Sequence, residues 1–375
     1  MSNAEEKLRK VLNCIVQEKF PNALDVKIKP VSTNGANYCS ELFEANIATP
    51  EDTHELFAKV DSLGDQLNAA SKHLSNIEIF ALTSLSSAYE NLEAKFGIKE
   101  KFIFPKFYKS VDGVIVMENL ASKGYEVYDR FKIIDLNYAS KSLEALARFH
   151  ALSISFKNER PEEFRKAVEV LNVTLSVFTS FHSEGQIDAA MAAVDEADRE
   201  KLAKLLEGSR GLSKLLDLTE PRKTAVIVHG DYRASNLMHK QMDGEYHVIP
   251  VDYQTARLGC PVSDLLYFIL LGSDQQFRKQ YFRQLLDHYY EHLSLMLTKF
   301  GLQPNEVYGK EEFESDIKAK LPVALSVAAL VLPFVTVDVD SAPNFESGQF
   351  TPRTSERFVK RFRELVEDMK GWGVL

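Results

Sequence analysis

The chain has 375 residues, and 54 acidic residues against 45 lysines and arginines give it a formal net charge of −9. Hydrophobic residues make up 45% and charged residues 26% of the chain, and these ordinary globular values exclude an intrinsically disordered or collagen-like protein. The acidic balance also argues against nucleic acid as a partner, because binding a phosphate backbone requires clustered lysine and arginine.

The cysteines and the apolar segments indicate the compartment. Cys14, Cys39 and Cys260 lie far apart, without a C-x-x-C pair, which is typical of a reducing compartment and excludes a disulfide framework. The first residues are charged and amphipathic and lack the apolar run of a secretory signal. The longest apolar run, residues 321–335, contains two prolines and is shorter than the roughly 18 residues of a membrane span. We therefore expect a soluble cytoplasmic protein without a membrane span.

The first 120 residues have the pattern of a small α+β unit. An amphipathic helix is predicted before Pro21. Two strand-like runs, residues 40–47 and 55–60, flank a turn-rich connection and predict an antiparallel hairpin. Apolar residues at helical spacing predict a helix over residues 71–92. Two more strands are predicted at residues 102–108 and 114–117.

The rest of the chain is predominantly helical. A stripe of residues that includes Leu143, Leu146 and His150 predicts a long buried helix. Residues 161–220 and the chain after Pro261 also have helical patterns, and short β-like runs occur only between about 224 and 260. We predict an α+β fold with a β-rich N-terminal lobe (1–120), a larger helical C-terminal lobe (121–375) and a hinge near 118–120.

One stretch carries a recognisable chemistry. It reads VIVHGDYRASNLM over residues 226–238 and VIPVDYQ over residues 248–254. Asp231 and Asn236 lie five residues apart in a loop, and Asp252 follows the next apolar run, 16 residues after Asn236. Oxygen ligands of this kind suit Mg²⁺, and phosphoryl transfer requires a metal and a separate carboxylate near the attacking hydroxyl. We interpret Asp231 as the catalytic base and Asn236 and Asp252 as Mg²⁺ ligands.

The spacing matches the kinase signature, with His-Gly-Asp in place of His-Arg-Asp. The alternative is that Asp231 and Asn236 are ordinary turn residues. The asparagine at +5, the apolar run before Asp252 and the downstream Asp264 together favour the catalytic interpretation. We expect Asp264 to bind the backbone N–H groups of the loop, His229 to order the loop, and His150 to be buried and to donate to a carbonyl group.

These residues resemble a known family. Asp252-Tyr-Gln254 is similar to the Asp-Phe-Gln of the ecdysteroid kinase-like (CHK kinase-like) family in the aminoglycoside phosphotransferase and choline kinase superfamily. Further matching stretches are residues 34–40, 116–125, 146–151 and 264–267, together with Arg130. The resemblance implies a two-lobed protein-kinase-like fold and an ATP- and Mg²⁺-dependent phosphotransferase with an alcohol group as acceptor. An insect ecdysteroid 22-kinase is the specific activity that it suggests.

The resemblance also implies a nucleotide site. It assigns Lys59 to the phosphates of ATP, and strand alternation places Phe57 and Lys59 on one face. An exposed lysine on a polar strand face is the alternative. We expect a helix glutamate to pair with Lys59, with Glu78 as the first choice and Glu90 as the second.

The phosphate-covering loop and the hinge carry weaker signals. The chain has no G-x-G-x-x-G and no G-x-x-x-x-G-K-[ST], so a Rossmann or P-loop interpretation is unsupported. The resemblance implies that a short turn at Gly35 and the Ser40 hydroxyl cover the phosphates; an ordinary hairpin turn is the alternative. The backbone from Glu118 to Leu120 is expected to bind adenine, with Asn119 in place of an expected aspartate.

We expect the acceptor to be a small hydroxylated molecule, and two kinds are open. Aromatic residues after position 264 would line an apolar pocket for an ecdysteroid-like steroid or would belong to the core: Tyr267, Phe268, Tyr281, Phe282, Tyr289, Tyr290 and the run 323–334. Alternatively, Asp338, Asp340 and Glu346 would receive a cationic acceptor such as choline or an aminoglycoside.

Two other functions and the oligomeric state also stay open. A non-catalytic pseudokinase is the main alternative to an enzyme, although Lys59, Asp231, Asn236 and Asp252 are all present. A protein kinase is disfavoured, because only 12 residues separate Asp252 from Asp264 and leave no room for an activation loop. The sequence gives no indication of the oligomeric state.

Overall fold

The computed structural model describes residues 2–32, 40–61, 68–172, 184–207, 213–338, 340 and 354–375. The helices are α1 (Asn3–Lys19), α2 (Asn68–Phe80), α3 (Ser86–Lys95), α4 (Leu136–Glu159), α5 (Pro161–Val170), α6 (Glu184–Ala193), α7 (Glu196–Leu206), α8 (Ser213–Thr219), α9 (Pro261–Gly272), α10 (Gln275–Lys299), α11 (Pro304–Val307), α12 (Lys310–Thr336) and α13 (Glu356–Gly371). The strands are β1 (Asp25–Pro30), β2 (Ser40–Ala48), β3 (Thr53–Asp61), β4 (Phe107–Val111), β5 (Val114–Glu118), β6 (Glu126–Val127), β7 (Val226–Val228), β8 (Leu237–Met242), β9 (Glu245–Pro250) and β10 (Arg257–Gly259).

An antiparallel sheet in the order β1-β2-β3-β5-β4 forms the N-terminal region. The predicted hairpin is confirmed, with β2 and β3 paired from Ser40 opposite Asp61 to Ala48 opposite Thr53. Alternate β3 side chains, including Leu56 and Ala58, are buried in a small core that α1 completes. Lys59 therefore projects from the opposite face of the sheet, as the alternation predicted.

Two predicted elements of this region differ in the structure, and one strand was not predicted. The predicted helix over residues 71–92 is two helices, α2 and α3, joined by a π-helical turn at Ala81–Leu85. The predicted strand at 102–108 is extended chain without strand pairing until Phe107, where β4 begins. β1 was not predicted, although Val26 and Ile28 alternate with charged residues in it and pack against the small core.

The C-terminal region is helical around one large core, with the short pairs β7–β10 and β6–β8–β9 beside it. α12 is long and apolar enough to cross a membrane, yet 78% of its most apolar 18-residue window is buried inside the protein. It is therefore a core helix of the fold. Pro322 and Pro333 lie within it, so the expectation that these prolines interrupt the segment is wrong.

The expected α+β class, with a β-rich N-terminal and a helical C-terminal region, is confirmed. The apolar faces of α2 and α3 belong to the large core, together with Ile115 and Met117 from β5. These two helices therefore connect the sheet to the helical region. The domain boundary at 118–120 stays a prediction.

Candidate active site

The loop of residues 229–236, here called the Asp231 loop, connects β7 to β8 and is held by Asp264 in the first turn of α9. The backbone N–H groups of His229 and Gly230 donate to the Asp264 carboxylate at 2.7 and 2.9 Å. Burial alone would raise the pKa of Asp264, but the hydrogen bond and charge of His150 hold it below its ordinary value. Asp264 thus contacts the loop as the sequence predicted.

Two buried histidines stabilise this arrangement. His150 Nε2 lies 3.3 Å from Asp264 Oδ2, and its Nδ1 lies 2.7 Å from the Tyr289 hydroxyl. The prediction that His150 donates to a carbonyl group is therefore wrong, although its burial is confirmed. His229 Nε2 donates to the Val251 carbonyl oxygen at 3.0 Å, which ties the loop to the end of β9. Burial lowers the pKa of His229, so the ring is neutral near pH 7.

Three donors fix the carboxylate of Asp231. Tyr267 donates its hydroxyl to Oδ1 at 2.7 Å, and Asn236 donates Nδ2 to Oδ2 at 2.8 Å. Arg233 Nε lies 3.0 and 3.1 Å from the two oxygens. Burial and the Asp231 carboxylate raise the pKa of Tyr267 well above its ordinary value, so the tyrosine keeps its proton and stays a donor. The orientation of Asp231 is therefore set from three directions.

Asp252 follows β9 in a left-handed backbone conformation, with φ 69° and ψ 60°. A non-glycine residue in this region stores strain, and such residues concentrate at functional sites. The backbone N–H of Val251 donates to the carbonyl oxygen of Asn236 at 2.9 Å, so Asp252 and the Asp231 loop are adjacent. Asp231, Asn236 and Asp252 form an oxygen-rich group, and such donors suit a hard cation such as Mg²⁺.

Lys59 connects the sheet to this group. Its Nζ lies 2.6 Å from Glu78 Oε1 on α2 and 2.8 Å from Asp252 Oδ1. Burial alone would lower the pKa of Lys59, but the carboxylates of Asp252 and Glu78 raise it above its ordinary value, so the ammonium stays charged. Glu78 is thus the glutamate that meets Lys59, and Glu90 is exposed. Lys59 itself is largely buried, which contradicts the alternative of an exposed lysine.

The remaining residues predicted for the nucleotide site lie at the edge of the sheet. Glu118 ends β5 and its carboxylate pairs with Lys123. Asn119 is buried and accepts from the Ala121 N–H at 3.0 Å, so it stabilises the following turn. Leu120 is buried, and its backbone N–H has no hydrogen-bond partner within the described ranges. Ser40 opens β2 opposite Asp61; the turn at Gly35 lies outside the described residues.

Most of the aromatic residues predicted for an acceptor pocket belong to the core. Phe268 and Tyr289 are fully buried, and Phe282 stacks on Trp372 with ring centroids 4.4 Å apart. Asp338, predicted for a cationic acceptor, pairs with Arg357 at 3.3 Å, and Asp340 is exposed. Glu346 lies outside the described residues.

The sequence interpretation gave Arg233 no role and placed Tyr267 in the acceptor pocket rather than on Asp231. Tyr267 lies three residues after Asp264 on α9, so both point from one helix face toward the Asp231 loop. That spacing could have predicted the contact of Tyr267 with the Asp231 loop. The sequence contains no comparable signal for Arg233, because an arginine two residues after Asp231 can as easily face solvent or phosphate.

The sequence model of the ecdysteroid kinase-like family matches residues 34–302, which include the hairpin, the Asp231 loop and α9. The chain belongs to the ecdysteroid kinase-like family. The resemblance predicted from Asp252-Tyr-Gln254 is thereby confirmed at the level of the family. No curated protein matches the chain in sequence.

Solved structures of small-molecule kinases also resemble this family member. A Plasmodium vivax ethanolamine kinase is 10% identical with a TM-score of 0.45, and the match covers 98% of this chain and 89% of that one. A microcompartment-associated aminopropanol kinase is 11% identical with a TM-score of 0.46, over 98% and 99% of the two chains. A spectinomycin phosphotransferase in complex with ADP and spectinomycin is 13% identical with a TM-score of 0.40, over 98% of each chain. At such identities and TM-scores, these resemblances identify neither the activity nor the substrate of this chain.

Proposed function

We propose that this chain is an ATP- and Mg²⁺-dependent kinase that transfers the γ-phosphoryl group to a hydroxyl of an ecdysteroid-like steroid. The observation that carries the proposal is the position of Lys59, which contacts both Glu78 and Asp252, next to the loop that carries Asp231. A buried ammonium held by a helix glutamate next to a strand-end aspartate is the arrangement that positions ATP phosphates in kinases. Membership in the ecdysteroid kinase-like family supports a steroid acceptor.

The residues around Asp252 fit a magnesium site. Asp252 and Asn236 would hold the ion, and the remaining coordination positions suit phosphate oxygens and water. When bound, Mg²⁺ neutralises the charge of the β- and γ-phosphates. Asp252 already faces a positive charge at 2.8 Å, that of Lys59, so the carboxylate is ionised before any ion arrives. The pKa of Asp252 lies below its ordinary value. Burial alone would raise this pKa, but the charge of Lys59 lowers it by more than burial raises it.

Asp231 would orient the acceptor hydroxyl and take its proton. A carboxylate offers about four lone-pair positions. Tyr267 and Asn236 each take one of these positions, and Arg233 Nε contacts both oxygens, so a substrate hydroxyl would replace one of the two Arg233 contacts. Because both carboxylate oxygens are already fixed, the acceptor is positioned without rearranging the base, which is the main contribution of such a site to catalysis.

Adenine would bind at the edge of the sheet, between the two predicted lobes. The Leu120 N–H is oriented by the turn that Asn119 stabilises and would donate to the base, beside the carbonyl group of Glu118. Ser40, at the start of β2, would lie above the phosphates, since β2 pairs directly with the strand that carries Lys59. These assignments place the nucleotide along the sheet face that Lys59 shares.

A phosphorylation assay with matched variants tests the proposal. Purified protein is incubated with ATP, Mg²⁺ and a panel of hydroxysteroids, choline-like alcohols and aminoglycosides, and phosphate esters are detected by mass spectrometry. Replacing Asp231 with Asn should lower kcat on the order of 100- to 10,000-fold, the usual contribution of a general base. The control is Asp243→Asn, a change of the same kind in the exposed β8–β9 turn, which should leave kcat unchanged.

The assay distinguishes the competing functions. An ester formed from a steroid alone supports the proposed acceptor, whereas an ester formed only from a cationic alcohol would replace it. Nucleotide binding that ignores Mg²⁺, with no ester from any acceptor, would identify a non-catalytic binding protein. Equal activity of the Asp231→Asn and Asp243→Asn variants would refute the assignment of the base.

A further inference from the structure

A second group of metal-ligating side chains lies on the outer side of the α4–α10 helix pair. Glu144 projects from α4, and His288 and His292 project from α10. One ligand atom from each residue lies within 4.8 Å of those of the others. The two histidines are four residues apart on a helix, so they share one face. Their side chains are between one quarter and one third exposed, so an ion can reach them from solvent.

The distances match those of a tetrahedral metal site. Glu144 Oε1 lies 3.3 Å from His288 Nε2 and 3.8 Å from His292 Nε2. Ligands on a tetrahedral ion with bonds of about 2.0–2.1 Å lie about 3.3 Å apart. The first pair thus already has this spacing, and the second needs to approach by only a few tenths of an ångström. The third pair, between the ligand atoms of the two histidines, lies within 4.8 Å. Lys141 contacts the other oxygen of Glu144, Oε2, at 3.3 Å and therefore leaves Oε1 facing the histidines.

The surroundings of the two rings are compatible with metal ligation. His292 Nδ1 lies 2.9 Å from the His288 backbone carbonyl oxygen, which can only accept, so Nδ1 carries the proton. Nε2 of His292 is therefore the nitrogen that faces Glu144, at 3.8 Å, and a carbonyl on the other nitrogen is the usual support of a ligating histidine. The Nε2 atom of His288 is buried and faces Glu144 Oε1 at 3.3 Å without meeting the geometry of a hydrogen bond.

We propose that Glu144, His288 and His292 form a zinc site. Two imidazole nitrogens and one carboxylate are ligands that Zn²⁺ favours, and water would occupy the fourth position of the tetrahedron. The set is unsuited to Mg²⁺, which prefers oxygen ligands, so this site is distinct in chemistry from the group at Asp252.

The position of the zinc site relates it to the Asp231 loop. His150 lies on α4, Tyr289 follows His288 on α10, and the side chains of His150 and Tyr289 are in contact. Asp264, which binds the loop, is the next residue in this chain of contacts. A bound ion would therefore join the same two helices that this buried pair joins.

Titration calorimetry with Zn²⁺ alone tests this site independently of any kinase activity. The chain of 375 residues is first treated with a chelator and then titrated with zinc chloride, and one ion per chain should bind. His292→Ala and Glu144→Gln should each weaken that binding on the order of 100-fold, since even residues behind a ligand contribute 10- to 100-fold. The control is His247→Ala, which removes an exposed histidine elsewhere.

Thermal unfolding provides a second test in case a variant folds poorly. Saturating Zn²⁺ should raise the thermal unfolding midpoint of the wild type and of His247→Ala, and the gain should disappear in Glu144→Gln. Circular dichroism establishes whether each variant is folded. No saturable zinc binding by the wild type, or the same binding in all variants, would overturn the proposal.

Discussion

Replacing Gly230 with alanine should damage the fold and the Asp231 loop together. Gly230 has φ +83°, and a Cβ at this position would lie 2.4 Å from the backbone oxygen of Thr255 and 2.5 Å from the Arg257 guanidinium. The backbone oxygen belongs to the short turn after Asp252 and cannot move as a side chain can. The substitution therefore forces a shift between the residues that flank Asp231 and the segment that follows Asp252.

Two terms determine the expected loss of stability. A left-handed backbone with a Cβ costs roughly 1–2 kcal/mol, and displacing packed neighbours costs about 1–3 kcal/mol more. Gly230→Ala should therefore lower the free energy of unfolding by about 2–5 kcal/mol. Gly244 in the β8–β9 turn is a matched control, because its φ is +84° and a Cβ there would meet no atom within 4 Å. Gly244→Ala should therefore lower the free energy of unfolding only by the cost of the left-handed backbone, roughly 1–2 kcal/mol.

Urea unfolding of the wild type and both alanine variants measures the two terms separately. The difference between the variants gives the contribution of the close contacts with Thr255 and Arg257. The same samples are assayed for phosphate-ester formation, which should fall only in Gly230→Ala. Equal losses of stability in the two variants would show that the loop tolerates a Cβ and would refute the reasoning.

Three further predictions concern buried polar groups. Asp264→Asn should lower the free energy of unfolding by roughly 1–3 kcal/mol in urea, because a donating amide then faces the backbone N–H groups of the Asp231 loop. Burial raises the pKa of Cys260 to about 12, so iodoacetamide should not modify Cys260 in the native protein at pH 8 but should modify it in the unfolded protein. Peptide mapping that finds Cys260 labelled in the native protein would contradict this prediction. Asp368→Ala removes the carboxylate that lies 2.6 Å from the buried Arg278 guanidinium and should destabilise the protein by about 3–5 kcal/mol. The control, Lys204→Ala in an exposed ion pair, should cost at most about 0.5 kcal/mol. Similar unfolding midpoints for the two variants would contradict this prediction.

The parts of the structure that the sequence predicted well have strong local signals. The β2–β3 hairpin and the face on which Lys59 lies follow from period-two alternation, which one buried face enforces. The contact between Asp264 and the Asp231 loop was expected from the order of the motif, and the structure has it at 2.7 and 2.9 Å. The assignment of Lys59 to the nucleotide site came from the family resemblance. The local sequence pattern alone favours an exposed position for this lysine.

Other features depend on contacts that no local pattern encodes. Residues 102–106 are apolar like a strand, but Phe102 and Phe104 pack against Phe149 rather than beside a partner strand. The aromatic residues after 264 have helical spacing, which is the same for a core and for a pocket, and most of them lie in the core. The contact of Lys59 with Asp252 joins residues 193 positions apart, so only the folded chain defines it.

The π-helical turn at Ala81–Leu85 has a consequence for how this chain tolerates change. The helix before the turn carries Glu78, and the helix after it is anchored by Tyr89 and Leu92 in the large core. A π turn uses one more residue than an α turn to complete the same rotation. Deleting one residue between 81 and 85 would thus leave an α turn, and the Glu78 carboxylate would keep its direction toward Lys59. Inserting a residue there would instead rotate the helix that carries Glu78 by about 100° relative to the helix that follows. The segment should therefore accept the loss of one residue more readily than the gain of one.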